Sequence, residues 1–164
     1  SFSKILLPSV RISYMVLPLP LLERFKSTLG FYACTVSNFE QYTLAHFIKD
    51  GYLDKHINRM RNHYRYIRDE LISRLMDSLI KDRIHIYEED SGLHFLLKYD
   101  TEYTDEELKK RAYNNGLMIS FLSDYITNNS YDKADYEHIA IVNYSGITDS
   151  DIERTAQLLI DVCI

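Results

Sequence analysis

The sequence predicts a chain of mixed α/β and α+β class, and three observations carry that prediction. An apolar, β-rich run from Ile12 to Leu17 stands between Pro8 and Pro18, as expected of a strand buried on both faces of a sheet. Leu53, Ile57, Met60, Tyr64, Ile67, Leu71, Leu75 and Leu79 recur at intervals of three or four, which puts them on one side of a long helix. Beyond Lys81, short β-rich segments alternate with polar turns and helix-start signatures, the pattern of a small α+β sandwich.

Each element has a local reason. Pro20 suits a first helical position and Gly30 the residue past the last turn, giving a short helix over Leu21 to Leu29. Ser37 and Glu40 make a capping box that opens a helix through Tyr42, Leu44, Phe47 and Ile48 to Asp50-Gly51. The long helix from Leu53 to Leu79, about 27 residues, would extend roughly 40 Å, enough to run from one domain into the next. Arg83 to Tyr87 and Leu93 to Tyr99 flank the polar turn Glu88 to Gly92, so a hairpin is expected, with the acidic residues of the turn in solvent. Thr104 with Glu107 starts a helix that Gly116 ends. Leu117 to Leu122 and His138 to Tyr144 are strand candidates on either side of the polar loop Thr127 to Asp135. Thr148 with Asp151 is a third capping box, before a closing helix that buries Ile152, Ala156, Leu159 and Val162. The expected divisions are 1–36, 37–80 and 81–164, with no internal repeat.

Composition narrows the function classes. At 164 residues, 46% apolar and 26% charged, the chain is an ordinary globular mixture. Its longest apolar stretch, Tyr14 to Leu22, is broken by Pro18 and Pro20, so no membrane span or signal peptide is recognisable and a cytoplasmic home is expected. A net charge of −5 argues against nucleic-acid binding by these residues themselves, and the basic cluster Arg59 to Arg68 reads as a solvated helix face. Cys34 and Cys163 are read as small core residues, and the 14 tyrosines mainly as packing. The histidines show no metal-ligand spacing.

The chemistry sits in Ser1-Phe2-Ser3-Lys4-Ile5-Leu6-Leu7-Pro8-Ser9-Val10-Arg11. A lysine after two serines precedes an arginine by seven positions, with a proline between. Serine hydroxyls and a guanidinium suit a phosphate dianion, and a lysine amine suits an aldehyde. Ser-Phe-Ser-Lys-x-Leu-x-Pro-x-x-Arg-x-x-Tyr resembles the Schiff-base segment of the fold-type I, pyridoxal-phosphate-dependent aminotransferases. The spacing of seven is similar to that of the MocR or GabR regulators of the GntR family. The resemblance continues through Ser37, Phe39-Glu40-Gln41, His56, Arg59-Met60-Arg61, Tyr64 and Arg68-Asp69, then Ser91-Gly92-Leu93-His94, Asn115-Gly116-Leu117 and Asn143-Tyr144-Ser145-Gly146.

The resemblance implies that these residues are the C-terminal part of a pyridoxal-phosphate-dependent transferase fold: the end of a large domain, interdomain helices and a small domain. It implies that Lys4 binds the cofactor aldehyde, its amine kept neutral by burial near other cations. Arg11 would hold the phosphate, helped by Ser1 and Ser3, through a two-pronged hydrogen bond. Ser13 replaces a frequent glycine. Many active relatives carry an arginine for the substrate carboxylate where this chain has Ile141, which weakens an amino-acid transaminase reading or implies another ligand. The acid that pairs with the pyridine nitrogen and the aromatic that stacks on the ring are not in these residues. His94 is expected to be structural. The implied whole is a dimeric DNA-binding regulator that senses an amino acid or amine, with DNA bound by a domain outside this chain. A true aminotransferase and a non-catalytic α+β interaction module are the alternatives. The chain by itself is expected to be inactive and to bind little cofactor.

Overall fold

Local signals in the sequence mark where helices begin in the computed structural model, which describes residues 1–3, 5–6, 9–90, 92–127 and 132–164. Helix α1 spans Leu19–Leu29 with Pro20 in its first turn. Helix α2, Asn38–Lys49, starts at Ser37, whose hydroxyl accepts from Glu40 N–H at 3.2 Å and donates to the Glu40 carboxylate at 2.8 Å. Gly51, at φ +73°, turns the chain into α3, Tyr52–Met76. The chain divides into two compact units, residues 1–61 and 62–164, and the boundary falls inside α3.

In residues 1–61 no described residue is buried. The expected strand from Ile12 to Leu17 does not form: no strand exists among the described residues of this unit, so the run has no ladder partner, and Tyr14, Met15 and Val16 are exposed. Phe31 and Tyr32 meet in a tilted pair, both exposed, with ring centroids 4.4 Å apart. Cys34 is also exposed, contrary to expectation, while Cys163 is buried.

Residues 62–164 fold around one core. Strands β1 (Ile84–Tyr87), β2 (His94–Tyr99), β3 (Ser120–Phe121) and β4 (Ile139–Asn143) form an antiparallel sheet in the order β1-β2-β4-β3. The expected hairpin is β1-β2, in register from Ile84 opposite Tyr99 to Tyr87 opposite Leu96. Side chains alternate, so Phe95, Leu97 and Tyr99 share one face with Ile84, Ala140, Val142 and Phe121. That face packs on Ile67, Leu71 and Leu75 of α3, on Leu108 and Ala112 of α4 (Asp105–Asn114), and on Ile152, Ala156 and Leu159 of α5 (Ile152–Asp161). Tyr99 donates its hydroxyl to Leu159 O at 2.9 Å, and burial pushes its pKa far above the ordinary phenol value.

Three local expectations are corrected here. Helix α3 stops at Met76, so Leu79 is 97% exposed and Ile80 takes the core position after a turn held by Ser78 Oγ on Leu75 O. The stretch from Leu117 yields only Ser120–Phe121 before a 3-10 turn, Leu122–Tyr125. At the third capping box, the Thr148 hydroxyl meets the Asp151 carboxylate, but the closing helix starts through a 3-10 turn, Asp149–Asp151, without a side-chain cap on its backbone. The Thr104 and Glu107 box forms in full. Many tyrosines are exposed; among the described residues Tyr99 and Tyr144 are the buried ones.

Arg68 fastens α3 to the β1-β2 turn. It donates to Asp69, to the Asp90 carboxylate at 2.7 Å and to Glu89 O at 3.0 Å, so a turn expected to be wholly solvated carries an ion pair. The Asp69 hydrogen bond foremost holds the Arg68 guanidinium above its ordinary pKa. Tyr144 stacks near Phe95 and donates to Gly92 O at 2.8 Å, closing the same turn from the β4 side.

Candidate functional site

The site expected around Lys4 is built by one loop of the first unit. Lys4 itself, with Leu7 and Pro8, lies outside the described residues. The stems beside it are defined: Ser3 Oγ donates to Val10 O at 2.7 Å, and Phe2 N–H donates to Ile12 O at 2.9 Å. Ile5 and Leu6 N–H both donate to Phe2 O, at 3.1 and 2.8 Å, making a tight turn. The loop is thus closed at its base by two cross-links.

Three of the expected phosphate contacts come together at that base. Arg11 Nη1 donates to Ser3 Oγ at 3.2 Å, and Ser1 Oγ donates to the same oxygen at 3.3 Å. Because the Ser3 proton is directed to Val10 O, this hydroxyl serves as an acceptor for Arg11 and orients it. Ser1, whose own bond is long, retains a donor that can turn to an anion. Among the described residues no carboxylate lies within ion-pair distance of Arg11, so its charge is open to an external anion. A phosphate group fits this donor set: one uncompensated guanidinium with a hydroxyl beside it.

The sequence did not show that helix α3 reaches this loop. His56 Nε2 lies 2.8 Å from Ile5 O, and Arg59 Nη2 lies 3.4 Å from His56 Nδ1. A backbone carbonyl that accepts a side-chain proton leaves no mark in the sequence. Beside the loop, Leu6, Val10, Ile12, Leu44 and Phe47 line a cavity of about 410 Å³ that His56 borders.

The remaining candidates sit in the second unit. Ile141, half-buried on β4, is opposite Leu96 on β2 and Ser120 on β3, on the sheet face away from the core. No side chain of this trio carries a charge. His94 is half-buried at the start of β2, opposite Asn143. Among the described residues no cluster of histidine, cysteine and carboxylate is arranged to hold a metal ion, and no helix is long and apolar enough to cross a membrane.

Known proteins resemble the chain in both fold and sequence. It superposes on a kynurenine aminotransferase from Pyrococcus horikoshii, solved in complex with PMP, with a TM-score of 0.79 and 20% identity, over 99% of this chain and 39% of that one. The fold is therefore that of the aminotransferases. In sequence it is 39% identical to the HTH-type transcriptional regulator YdeL of Bacillus subtilis, over 94% of this chain and 32% of YdeL. It is 31% identical to the probable rhizopine catabolism regulatory protein MocR of Rhizobium meliloti, over 90% of this chain and 29% of MocR. No protein-family model matches. The chain is an aminotransferase-like segment related to the MocR-type regulators, and it spans about a third of the length of these relatives.

Proposed function

We propose that this chain is the C-terminal part of a pyridoxal-phosphate-binding, ligand-sensing domain in a GntR/MocR-type transcriptional regulator. The observation that carries the reading is the convergence of Arg11, Ser1 and Ser3 at the base of the loop that contains Lys4. When bound, pyridoxal phosphate supplies an aldehyde that reacts reversibly with primary amines. Lys4 provides the protein amine that holds it, Arg11 neutralises the phosphate, Ser1 donates a further hydrogen bond, and Ser3 aims Arg11. An amine or amino acid that competes with Lys4 is the ligand class to which such a site responds.

The uncharged Leu96, Ile141 and Ser120 trio favours sensing over turnover of an amino acid. A ligand carboxylate brought against it would lose water and gain no ion pair. DNA binding is assigned to a helix-turn-helix domain outside this chain, as the description of YdeL as an HTH-type transcriptional regulator suggests. We further assign a homodimer and a cytoplasmic location. The exposed aromatics of residues 1–61 support the dimer, because such a surface is normally covered.

The test uses the full-length protein. Reconstitution with pyridoxal phosphate, borohydride reduction and peptide mapping should place the label on Lys4, and Lys4→Ala should remove the visible absorbance. A label elsewhere, or none, overturns the reading. Arg11→Ala should weaken cofactor binding about tenfold or more, the scale of a charge-assisted hydrogen bond. Steady transamination of an amino acid with a keto acid would favour the plain enzyme instead.

A further inference from the structure

The Ile5 carbonyl follows Lys4 by one residue, and among the described residues of 1–12 it is the group hydrogen-bonded to a helix. Its partner, His56, sits one turn into α3, the helix that continues without a break to Met76. The two neighbours of the imidazole decide its tautomer. A carbonyl accepts only and a guanidinium donates only, so Nε2 carries the proton given to Ile5 O, and Nδ1 offers its lone pair to Arg59. The other hydrogen bonds among the described residues of the loop, Ser3 to Val10 and Phe2 to Ile12, close it on itself, while Leu6, Val10 and Ile12 line a cavity with Leu44 and Phe47 of α2.

We propose that His56, held in one tautomer by Arg59, is a positioning residue for Lys4: it fastens the lysine loop to α3 and makes α3 the element that registers a change at Lys4. The proposal rests on the cofactor reading of Lys4 given above. Arg59 acts one bond further out. By donating to Nδ1 it keeps the ring from presenting a bare Nε2 lone pair to the carbonyl, which would repel it. A side chain with no donor at position 56 therefore removes the link, and a side chain with a donor at the same reach restores it.

The experiment compares full-length protein, native and as His56→Leu, His56→Gln and Arg59→Met, in two states. In the cofactor-free state, the rate at which acetic anhydride acetylates Lys4 is measured by mass spectrometry across pH, together with the thermal midpoint. In the loaded state, the rate of pyridoxal phosphate loss is followed by visible absorbance after dilution. His56→Leu is expected to speed cofactor loss about fivefold, the effect of one net hydrogen bond, and to change the Lys4 acetylation profile at an unchanged thermal midpoint. His56→Gln, whose amide N–H reaches the same carbonyl, is expected to stay near native. Arg59→Met is expected to fall between the two.

Equal acetylation profiles for native and His56→Leu protein overturn the proposal, as does equal behaviour of the Leu and Gln variants. If His56→Leu does not fold, Arg59→Met decides: a native acetylation profile and cofactor loss rate there overturn it. Failure of borohydride to label Lys4 in the native protein would instead sink the cofactor reading, while the acetylation comparison still tests the link from His56 to the loop.

Discussion

Residues 62–164 and residues 1–61 treat apolar side chains in opposite ways. Every buried hydrophobic side chain among the described residues lies between Ile67 and Cys163, and in that unit sheet and helices close on one another. In the first unit, α1 and α2 bury no residue, and Phe31, Phe39 and Tyr42 remain at least 70% exposed. Helical pattern and capping residues alone thus suffice to define a helix, and burial requires an opposing surface. The second unit carries its own, whereas the first leaves its apolar side chains exposed or half-buried. The candidate site lies in that first unit, where hydrogen bonds close its loop and the half-buried Leu6, Val10 and Ile12 line a cavity.

The largest break in this contrast should come from the core. Phe95→Ala removes a fully buried ring of β2 and should cost about 3–5 kcal/mol in denaturant unfolding of the second unit, whereas Phe39→Ala, on an 80% exposed ring, should change stability by less than about 0.5 kcal/mol. A comparable loss at both positions would mean that the first unit is packed after all.

Next in size is Asp105, which is 8% exposed. Its carboxylate accepts from Ser123 Oγ and from His138 N–H at 2.8 Å, joining the start of α4 to two loops. Asp105→Ala strands both donors and should cost about 1–3 kcal/mol. Hydrogen exchange should then quicken at His138 and along β4 before it does in α3.

Thr104→Ala should cost about 1 kcal/mol by removing a helix N-cap, and the loss should depend on pH. Backbone and side-chain hydrogen bonds from Thr104 hold the Glu107 pKa below the ordinary glutamate value. The folded state therefore binds its proton less readily than the unfolded chain. The stabilising contribution is full above the unfolded pKa and is lost as pH falls through the folded one. Thermal melts of native protein should show that acid-side loss, and Thr104→Ala melts should show less of it. The smallest effect is expected at His138, a non-glycine residue at φ +64°, where His138→Gly should raise stability by up to about 1 kcal/mol.

Much of the second unit was legible because its signals are local. The Thr104-x-x-Glu107 box, a glycine after a polar turn and alternation on β2 each report on neighbours a few residues away. Leu79 shows the limit: spacing continued the helix by one more apolar position, but the turn after Met76 gave the core position to Ile80. At the site, it was legible that Ser1, Ser3 and Arg11 come together. That Ser3 acts through Arg11, with its own proton directed to Val10 O, was not, because a backbone acceptor is the same at every residue.

By itself the sequence determined the helices of this chain, its hairpin and the meeting of Ser1, Ser3 and Arg11, since propensity, capping and side-chain chemistry are properties of short segments. Tertiary structure alone decided that Ile12 to Leu17 finds no strand beside it among the described residues, that Arg68 closes the β1-β2 turn and that His56 reaches the carbonyl of Ile5. Each of those outcomes depends on groups far apart in sequence meeting within about 3 Å, a distance at which a hydrogen bond forms or fails.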